Sequence, residues 1–566
     1  MRTLDWIFLV ASLVFIVLYG VLKGRGSRDI RGFLLADRSM KWYTVALSIM
    51  ATQASAITFL SGPGQAYVDG MRFVQFYFGL PIAMIILSVT AVPIYHKLNV
   101  YTAYEYLENR FDINIRLLAS FLFLIQRGLA AGLTIYAPSI ILSVILGWNI
   151  YWTNLIVGLL VITYTASGGT RAVGETHFYQ MLIIMCGMIG AFIVAIQLLP
   201  DDISLLDATY ITGKLGRLNT IDLRFDLDNR YNIWSGIIGG LFLQLSYFGT
   251  DQSQVQRYLS GSSVTQSRMG LIFNGFVKIP MQFFILFIGV VVFAFYQFQL
   301  PPLFFNPVAS GAVKESSMAD AYQVLENKQH EIHTQKQQAI RAYLEARDTG
   351  DPQLITEKGS ELITTHQKYV DVRNNAKAMI KANNPDADTS DTNYIFLTFV
   401  VQFLPVGLVG LVIAAIIAAS MSSTAGELNA LASTTVVDFY KRVFAKRPDD
   451  RKEVLFSKLS TVAWGIYAIV LAEYASRLGS LIEAVNILGS LFYGTILGIF
   501  LAAFYIKRVQ GRAVFFAAIF AEIAVIAVFI FTDISFLWYN VVGCVGILLL
   551  APVFELVTKK YSKSGA

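Results

Sequence analysis

The sequence predicts an all-α polytopic membrane protein of about 13 transmembrane helices, on three observations. Of 566 residues, 55% are hydrophobic and only 14% are charged, whereas a soluble domain carries about 25% charge. The mean hydropathy is +0.57. Apolar runs of about 20 residues recur from end to end. These features exclude a soluble enzyme and a nucleic-acid binder. The two cysteines, Cys186 and Cys544, lie in apolar stretches and support neither a disulfide framework nor a metal site.

The runs fall near 5–23, 42–61, 73–95, 115–146, 151–167, 179–198, 233–249, 266–299, 393–436, 456–475, 484–505, 513–532 and 536–556. The first follows Asp5 and has no small-residue cleavage site, so it reads as a span and not as a removable signal peptide. The second, SIMATQASAITFLSGPGQAY, is small and polar at Ala51 to Ser55, with Gly62, Pro63 and Gly64 close behind. That pattern predicts either a helix unwound mid-bilayer or a tight helix contact through small residues. The runs 115–146 and 393–436 are too long for one upright helix, so they must tilt, break or extend beyond the bilayer. Residues 306–392 differ in composition: two helices rich in Glu, Lys, Gln and Ala, separated by TGDP at 349–352. This hairpin is a solvated cap, a lid or a docking surface for a protein partner. His330, His333 and His366 in it read as solvated helix positions before they read as metal ligands.

Lysine and arginine concentrate in alternate loops. Lys23, Arg25, Arg28, Arg31, Arg38 and Lys41 lie in one, and Lys441, Arg442, Lys446, Arg447, Arg451, Lys452 and Lys458 in another. Lys507, Arg508 and Arg512 follow, then Lys559, Lys560 and Lys563 in the tail. With 13 spans all four groups share one side. The positive-inside rule then puts the N-terminus outside and the C-terminus in the cytoplasm of a multi-pass protein of the plasma (bacterial inner) membrane.

Several residues carry the chemistry. Ala419, Ser422 and Ser423 share one face of the ninth run, at i, i+3 and i+4. Facing the unwound second span, their oxygens would form a neutral cage for a hard cation; the alternative is that the serines bond back to their own helix carbonyls. Arg127 and Lys278 lie deep in apolar runs, where an ionised group costs roughly 2.5–3.5 kcal/mol or more. Each needs a partner. Glu427 and Glu522 are the clear carboxylates in the runs; the alternative partner for Arg127 is an anionic solute group gripped by its planar fork.

These residues lie in stretches that resemble the sodium/solute symporter family, whose members have the LeuT-type 5+5 inverted repeat, here with an added N-terminal helix and two C-terminal helices. FGTDQSQVQRYLSGSS (248–263) is similar to the family's G-x-[DN]-Q-x-x-x-Q-R stretch. YTASGGTRAVGETHFYQ (164–180) and QFLPVGLVGLVIAAIIAASMSST (402–424) also match. TAYEYLENRFD (102–112) and IYAPSIIL (135–142) resemble the branch of carboxylate, iodide and vitamin symporters.

The resemblance implies a sodium site made by the carbonyls of Ala51, Ala54 and Ala419 and the hydroxyls of Ser422 and Ser423. The positions of a second sodium site in some relatives hold His177, Ala425 and Gly426, none of them the family's oxygen ligand, so one sodium per cycle is expected. It further implies a solute pocket at Ser55, Thr58, Gln75 and Arg127, as in sialic-acid symporters, with Gln244 and Lys278 where sugar symporters place an Asn and a Lys. Tyr247 matches an inner-gate aromatic, and Phe76 and Tyr77 would line the outer side.

The expected organisation is an N-terminal helix and loop (1–41), the first repeat and the start of the second (42–249), its continuation (250–305), the hairpin insert (306–392), the end of the second repeat (393–505) and the C-terminal helices (506–566). The expected function is import of a small, carboxylate-bearing organic solute with sodium across the lipid bilayer by alternating access. A carboxylate moving with one sodium would be electroneutral. A sodium/sugar symporter is the alternative, and a transporter-like membrane sensor the second. No nucleophile–base pair, metal cluster or phosphate-binding loop points to an enzyme.

Overall fold

The computed structural model describes residues 2–24, 35, 38–444 and 450–564. Arg25, Arg28, Arg31, Lys446 and Arg447 lie outside the described residues. Every named element of the described residues is helical. Among the described residues, nine helices are long and apolar enough to cross a membrane, and four shorter apolar helices accompany them: Thr3–Phe15, Ile150–Thr163, Ser235–Gly249 and Thr392–Phe403.

The helices used below are α1 (Thr3–Gly24), α2 (Trp42–Gln53), α3 (Ala56–Asp69), α4 (Leu80–Val89), α5 (Ala91–Leu98), α6 (Ile113–Leu146), α7 (Ile150–Gln197), α8 (Gly240–Gly249) and α9 (Gln252–Leu259). After them come α10 (Val264–Phe298), α11 (Ala319–Thr349), α12 (Pro352–Asn383), α13 (Thr392–Phe403) and α14 (Leu408–Thr434). The chain ends with α15 (Asp450–Ala472), α16 (Leu481–Tyr505), α17 (Gly511–Phe531) and α18 (Phe536–Ser564). It has the inverted-repeat architecture, with interrupted helices at two places.

The first interruption separates α2 from α3. Ala54 ends one helix at ψ 74 and Ser55 is extended at ψ 176 before the second begins. Gly62, Pro63 and Gly64 do not break the helix; they lie inside α3. Their role is contact. A Cβ on Gly64 would fall 2.0 Å from the Thr392 carbonyl oxygen, and one on Gly289 of α10 would fall 2.0 Å from the Pro63 oxygen. The second interruption is at Thr250–Asp251. There Asp251 accepts from the Ser253 N–H at 2.9 Å and so caps α9.

Three predicted spans take a different form. The run 393–436 is two helices, α13 and α14, parted at Pro405 and at Gly407, whose φ is +90. The runs 151–167 and 179–198 are joined in one helical run, α7. Both its ends lie on the hairpin side: Asn149 lines a cavity with Asn306 and Asn384, and Asp202, just past the other end, pairs with Arg341 at 3.1 Å. The run therefore has two legs. The first lies against α15 near Gly158 and Ile469, the second against α14 near Gly187 and Val412.

Helix α14 is the centre of the molecule. In its span 89% of the most apolar stretch is buried, compared with 28% for α17. It packs against α2, α3, α6, α7 and α9. Its polar side chains therefore meet protein and not lipid.

The hairpin forms as the composition predicts. Gly350 closes α11 in the left-handed region at φ 70, Asp351 accepts from the Gln353 N–H at 2.9 Å, and Pro352 opens α12. It is docked as well as solvated. Arg347 pairs with Asp207 at 2.6 Å, and the Gln337 amide donates to the Phe298 carbonyl at 2.6 Å. Arg373 pairs with Asp391. His366 stacks on Tyr369, and no group of three or more His, Cys, Asp or Glu side chains able to hold a metal occurs among the described residues.

Candidate functional site

A cavity of about 90 Å³ lies beside both interruptions. Thr52, Gln53, Ser55 and Thr58 line it from the first broken helix, and Leu243, Gln244 and Tyr247 from α8. Gln126, Arg127 and Thr134 of α6 face it, with Glu427 of α14, Asn486 and Tyr493 of α16, and Phe76 and Tyr77. The chain thus brings Ser55, Thr58, Phe76, Arg127, Gln244 and Tyr247 together. Gln244 is buried and neither end of its amide has a protein partner. An unpartnered buried amide is costly unless something else bonds to it, and here it faces open space.

Two of the expected solute residues are placed elsewhere. The Gln75 amide donates to the Tyr231 carbonyl at 2.9 Å and accepts from the Asp222 N–H at 3.1 Å, so it fastens a loop and does not face the cavity. Lys278 is fully buried with its ammonium 5.6 Å from the Tyr77 ring centroid. Tyr77 lines the cavity, and Lys278 does not.

Arg127 is not a free cation. Its guanidinium donates to Glu427 Oε1 at 3.0 Å, to the Tyr493 hydroxyl at 2.7 Å and to Asp251 Oδ2. The Tyr493 hydroxyl donates to the same Asp251 oxygen at 3.0 Å. Asp251 Oδ1 accepts from the Ser253 N–H and, at 2.7 Å, from the Ser253 hydroxyl. Thr134 donates to Glu427 Oε2 at 2.8 Å. The guanidinium also lies 5.4 Å from the Tyr247 ring centroid. Helices α6, α14 and α16 therefore meet the second interruption through one buried ionic network. Glu427 was a foreseeable partner. Asp251, Thr134 and Tyr493 were missed, although Asp251 stands in the most specific motif, at the end of an apolar run.

The sodium-cage positions fall on elements in contact: Ala51 and Ala54 at the end of α2, Ala419, Ser422 and Ser423 on α14. Ser423 bonds back to the Ser420 carbonyl at 3.1 Å. Ser422 does not; its hydroxyl is fully buried without a protein partner. Its donor set is neutral oxygen, which suits a hard monovalent cation. His177 contacts the Ser48 hydroxyl at 3.1 Å. Beside Gly426 the space is taken by a guanidinium, with Arg257 Nη2 2.9 Å from where a Cβ would be.

Comparison with known proteins agrees with this architecture. The chain is 32% identical over 274 residues to sodium-coupled monocarboxylate transporter 1 of Xenopus laevis, covering 48% of this chain and 44% of that protein. It is 31% identical over 300 residues to the sodium-dependent multivitamin transporter of Oryctolagus cuniculus, covering 52% and 46%. Thus the matched stretch spans about half the length of these relatives. The sodium/sialic acid symporter NanT of Aliivibrio fischeri is 24% identical over 568 residues, covering 98% of this chain and 94% of that protein. A solved structure of a sodium-coupled sialic acid symporter in a substrate-bound outward-open state superposes with a TM-score of 0.75 at 22% identity, covering 98% of each chain. The sequence model of the Sodium:solute symporter family matches residues 33–326 and 374–521, leaving out only the heart of the hairpin and the two ends. On that match the chain belongs to the sodium:solute symporter family.

Proposed function

We propose that the chain is a symporter that imports a small organic solute with one sodium ion. The observation that carries this reading is the Ser422 hydroxyl, buried and unpartnered on α14 where that helix meets the broken α2–α3. Sodium seated there favours the arrangement of the broken helix that binds solute, and closure then carries both inward. An ion that bound all states equally would shift nothing. The guanidinium beside Gly426 supports a single sodium, since it supplies positive charge where a second ion would need oxygen.

A carboxylate-bearing solute is supported by the relatives named for monocarboxylates and sialic acid. A neutral sugar is the second reading, because Arg127 already has two carboxylate partners and Gln244 offers an unpartnered amide. The N-terminus is proposed to face outside. Asp5 at the start of α1 accepts from the Gly407 N–H at 2.6 Å, which puts that end beside the start of α14 and away from the basic loops.

Thermal unfolding of the purified protein against a panel of small acids and sugars, with sodium or with choline, tests the reading. A ligand bound only by the native state raises its apparent stability. Sodium should raise the midpoint, and the transported solute should add to that only when sodium is present. Ser422→Ala with Ser423→Ala should remove the sodium response. A full sodium response in the double variant overturns the cage.

A further inference from the structure

We propose that one small inorganic anion, of the size of chloride, is held beneath the hairpin and fastens it to α3, the second half of the broken helix. The site is the seam where α11 and α12 rest on the ends of α3 and α10. Rings wall it. Tyr67 of α3 packs on Phe293 of α10 at 5.1 Å between centroids, Phe293 on His366 of α12 at 5.9 Å, and His366 on Tyr369 at 6.3 Å. Tyr296 of α10 lies 6.1 Å from Tyr67. Two cations sit on these rings. The Arg217 guanidinium is 4.8 Å from the Phe293 centroid, and the Lys336 ammonium is 4.4 Å from that of Tyr369.

The charges in the seam can be matched one by one. Arg373 pairs with Asp391. Asp69, at the end of α3, is the carboxylate that attracts Arg217, and Asp388 attracts Lys377. Glu483, the other carboxylate acting on Asp69, pairs with Arg230 at 2.7 Å. Lys336 is left over. It is 1% exposed, and among the described residues it has neither a hydrogen-bond nor a carboxylate partner. The ionised side chains that act on it are Arg217 and Arg373, both positive. A cation buried in that company is costly unless an opposite charge joins it. Shedding the ammonium proton is the other escape, and hydrogen bonding separates the two. Three more buried atoms in the seam have no protein partner: Arg217 Nε, the Tyr296 hydroxyl and His366 Nδ1. The guanidinium N–H and the hydroxyl are donors, and the imidazole can present its proton on either nitrogen. A neutral Lys336 amine could take one donor and would leave the others orphaned, each at a cost. Water could take the donors but brings no charge. One anion supplies the missing charge and accepts several donors together, and the closely packed ring walls suit a monatomic ion.

Thermal unfolding of the purified full chain at pH 7 tests this, in sodium chloride and in sodium gluconate at equal sodium and equal ionic strength. Gluconate is too bulky for the seam. Chloride should raise the midpoint of the unaltered protein, and the rise should keep growing with the logarithm of the chloride concentration. In gluconate, Lys336→Met should be at least as stable as the unaltered protein, because it removes the unmatched cation, and that result shows that it folds. Tyr296→Phe should also be no less stable there, since it deletes a donor that has nothing to bond. Chloride should leave Lys336→Met unmoved and should raise Tyr296→Phe by less than the unaltered protein. Equal midpoints of the unaltered protein in the two salts overturn the anion. A chloride rise that Lys336→Met retains is a general salt effect and overturns the site. The Ser422→Ala, Ser423→Ala variant should keep the chloride response, so failure of the sodium cage and failure of this site are read separately.

Discussion

Arg127 shows how far single residues could be read from the chain. Its depth in an apolar run demanded a partner, and Glu427 was one of two carboxylates available. The structure supplies that partner and adds Asp251 and Tyr493. Removing the cation leaves two buried carboxylates unpaired, so Arg127→Ala should cost about 3–5 kcal/mol of stability. Combining it with Glu427→Gln should recover part of that loss. Denaturation of the purified single and double variants measures both. Equal stability of Arg127→Ala and the unaltered protein would show that the network is not ionic. Gln75 could not have been placed from the sequence. Its partners lie 156 and 147 residues away, in a loop with no motif of its own.

At the scale of elements, the chemistry that breaks helices was legible and the chemistry that lets them touch was not. The small polar stretch before Ser55 marks a true interruption. Gly62, Pro63 and Gly64 resemble the same signal, but they serve close backbone contact, which depends on partners distant in sequence. The hairpin was legible as two helices from composition alone; its buried cation was not. Lys336 packs 4.4 Å from the Tyr369 ring centroid, and burial lowers its pKa from 10.5 to about 7, with Arg217 and Arg373 adding repulsion. Between those two pH values the unfolded chain binds a proton that the folded hairpin does not, so stability rises with pH across the window. Lys336→Met should therefore raise the unfolding midpoint at pH 7, and the gap from the unaltered protein should close towards pH 10. A gap that does not change with pH would rule out titration of Lys336 as its cause.

For the whole molecule, hydropathy and loop charge predicted a many-spanned protein with a sided surface, and the helices arrange accordingly. Asp5, Gly407 and the hairpin lie towards one end. At the other, the Arg110 guanidinium donates to the Ile506 and Lys507 carbonyls, and Arg442 pairs with Glu108. The proposed orientation predicts that a cysteine at Lys368, exposed on the hairpin, reacts with an impermeant maleimide in intact cells. One at the exposed Lys507 should react only after permeabilisation. The reverse pattern would invert the molecule in the membrane. Hydropathy separated the two legs of α7 as runs 151–167 and 179–198 and left a break as one option for 393–436; that the legs form one helical run, and that the break falls at Pro405, depend on backbone geometry inside apolar sequence.

The contact between Gly289 and the Pro63 carbonyl has a mechanical consequence. Two main chains meeting with no side chain between them are interlocked, so α10 and α3 are expected to move together. On the proposed transport reading, the pivot belongs at the two interruptions, where Ala54 and Thr250 leave the helical ladder.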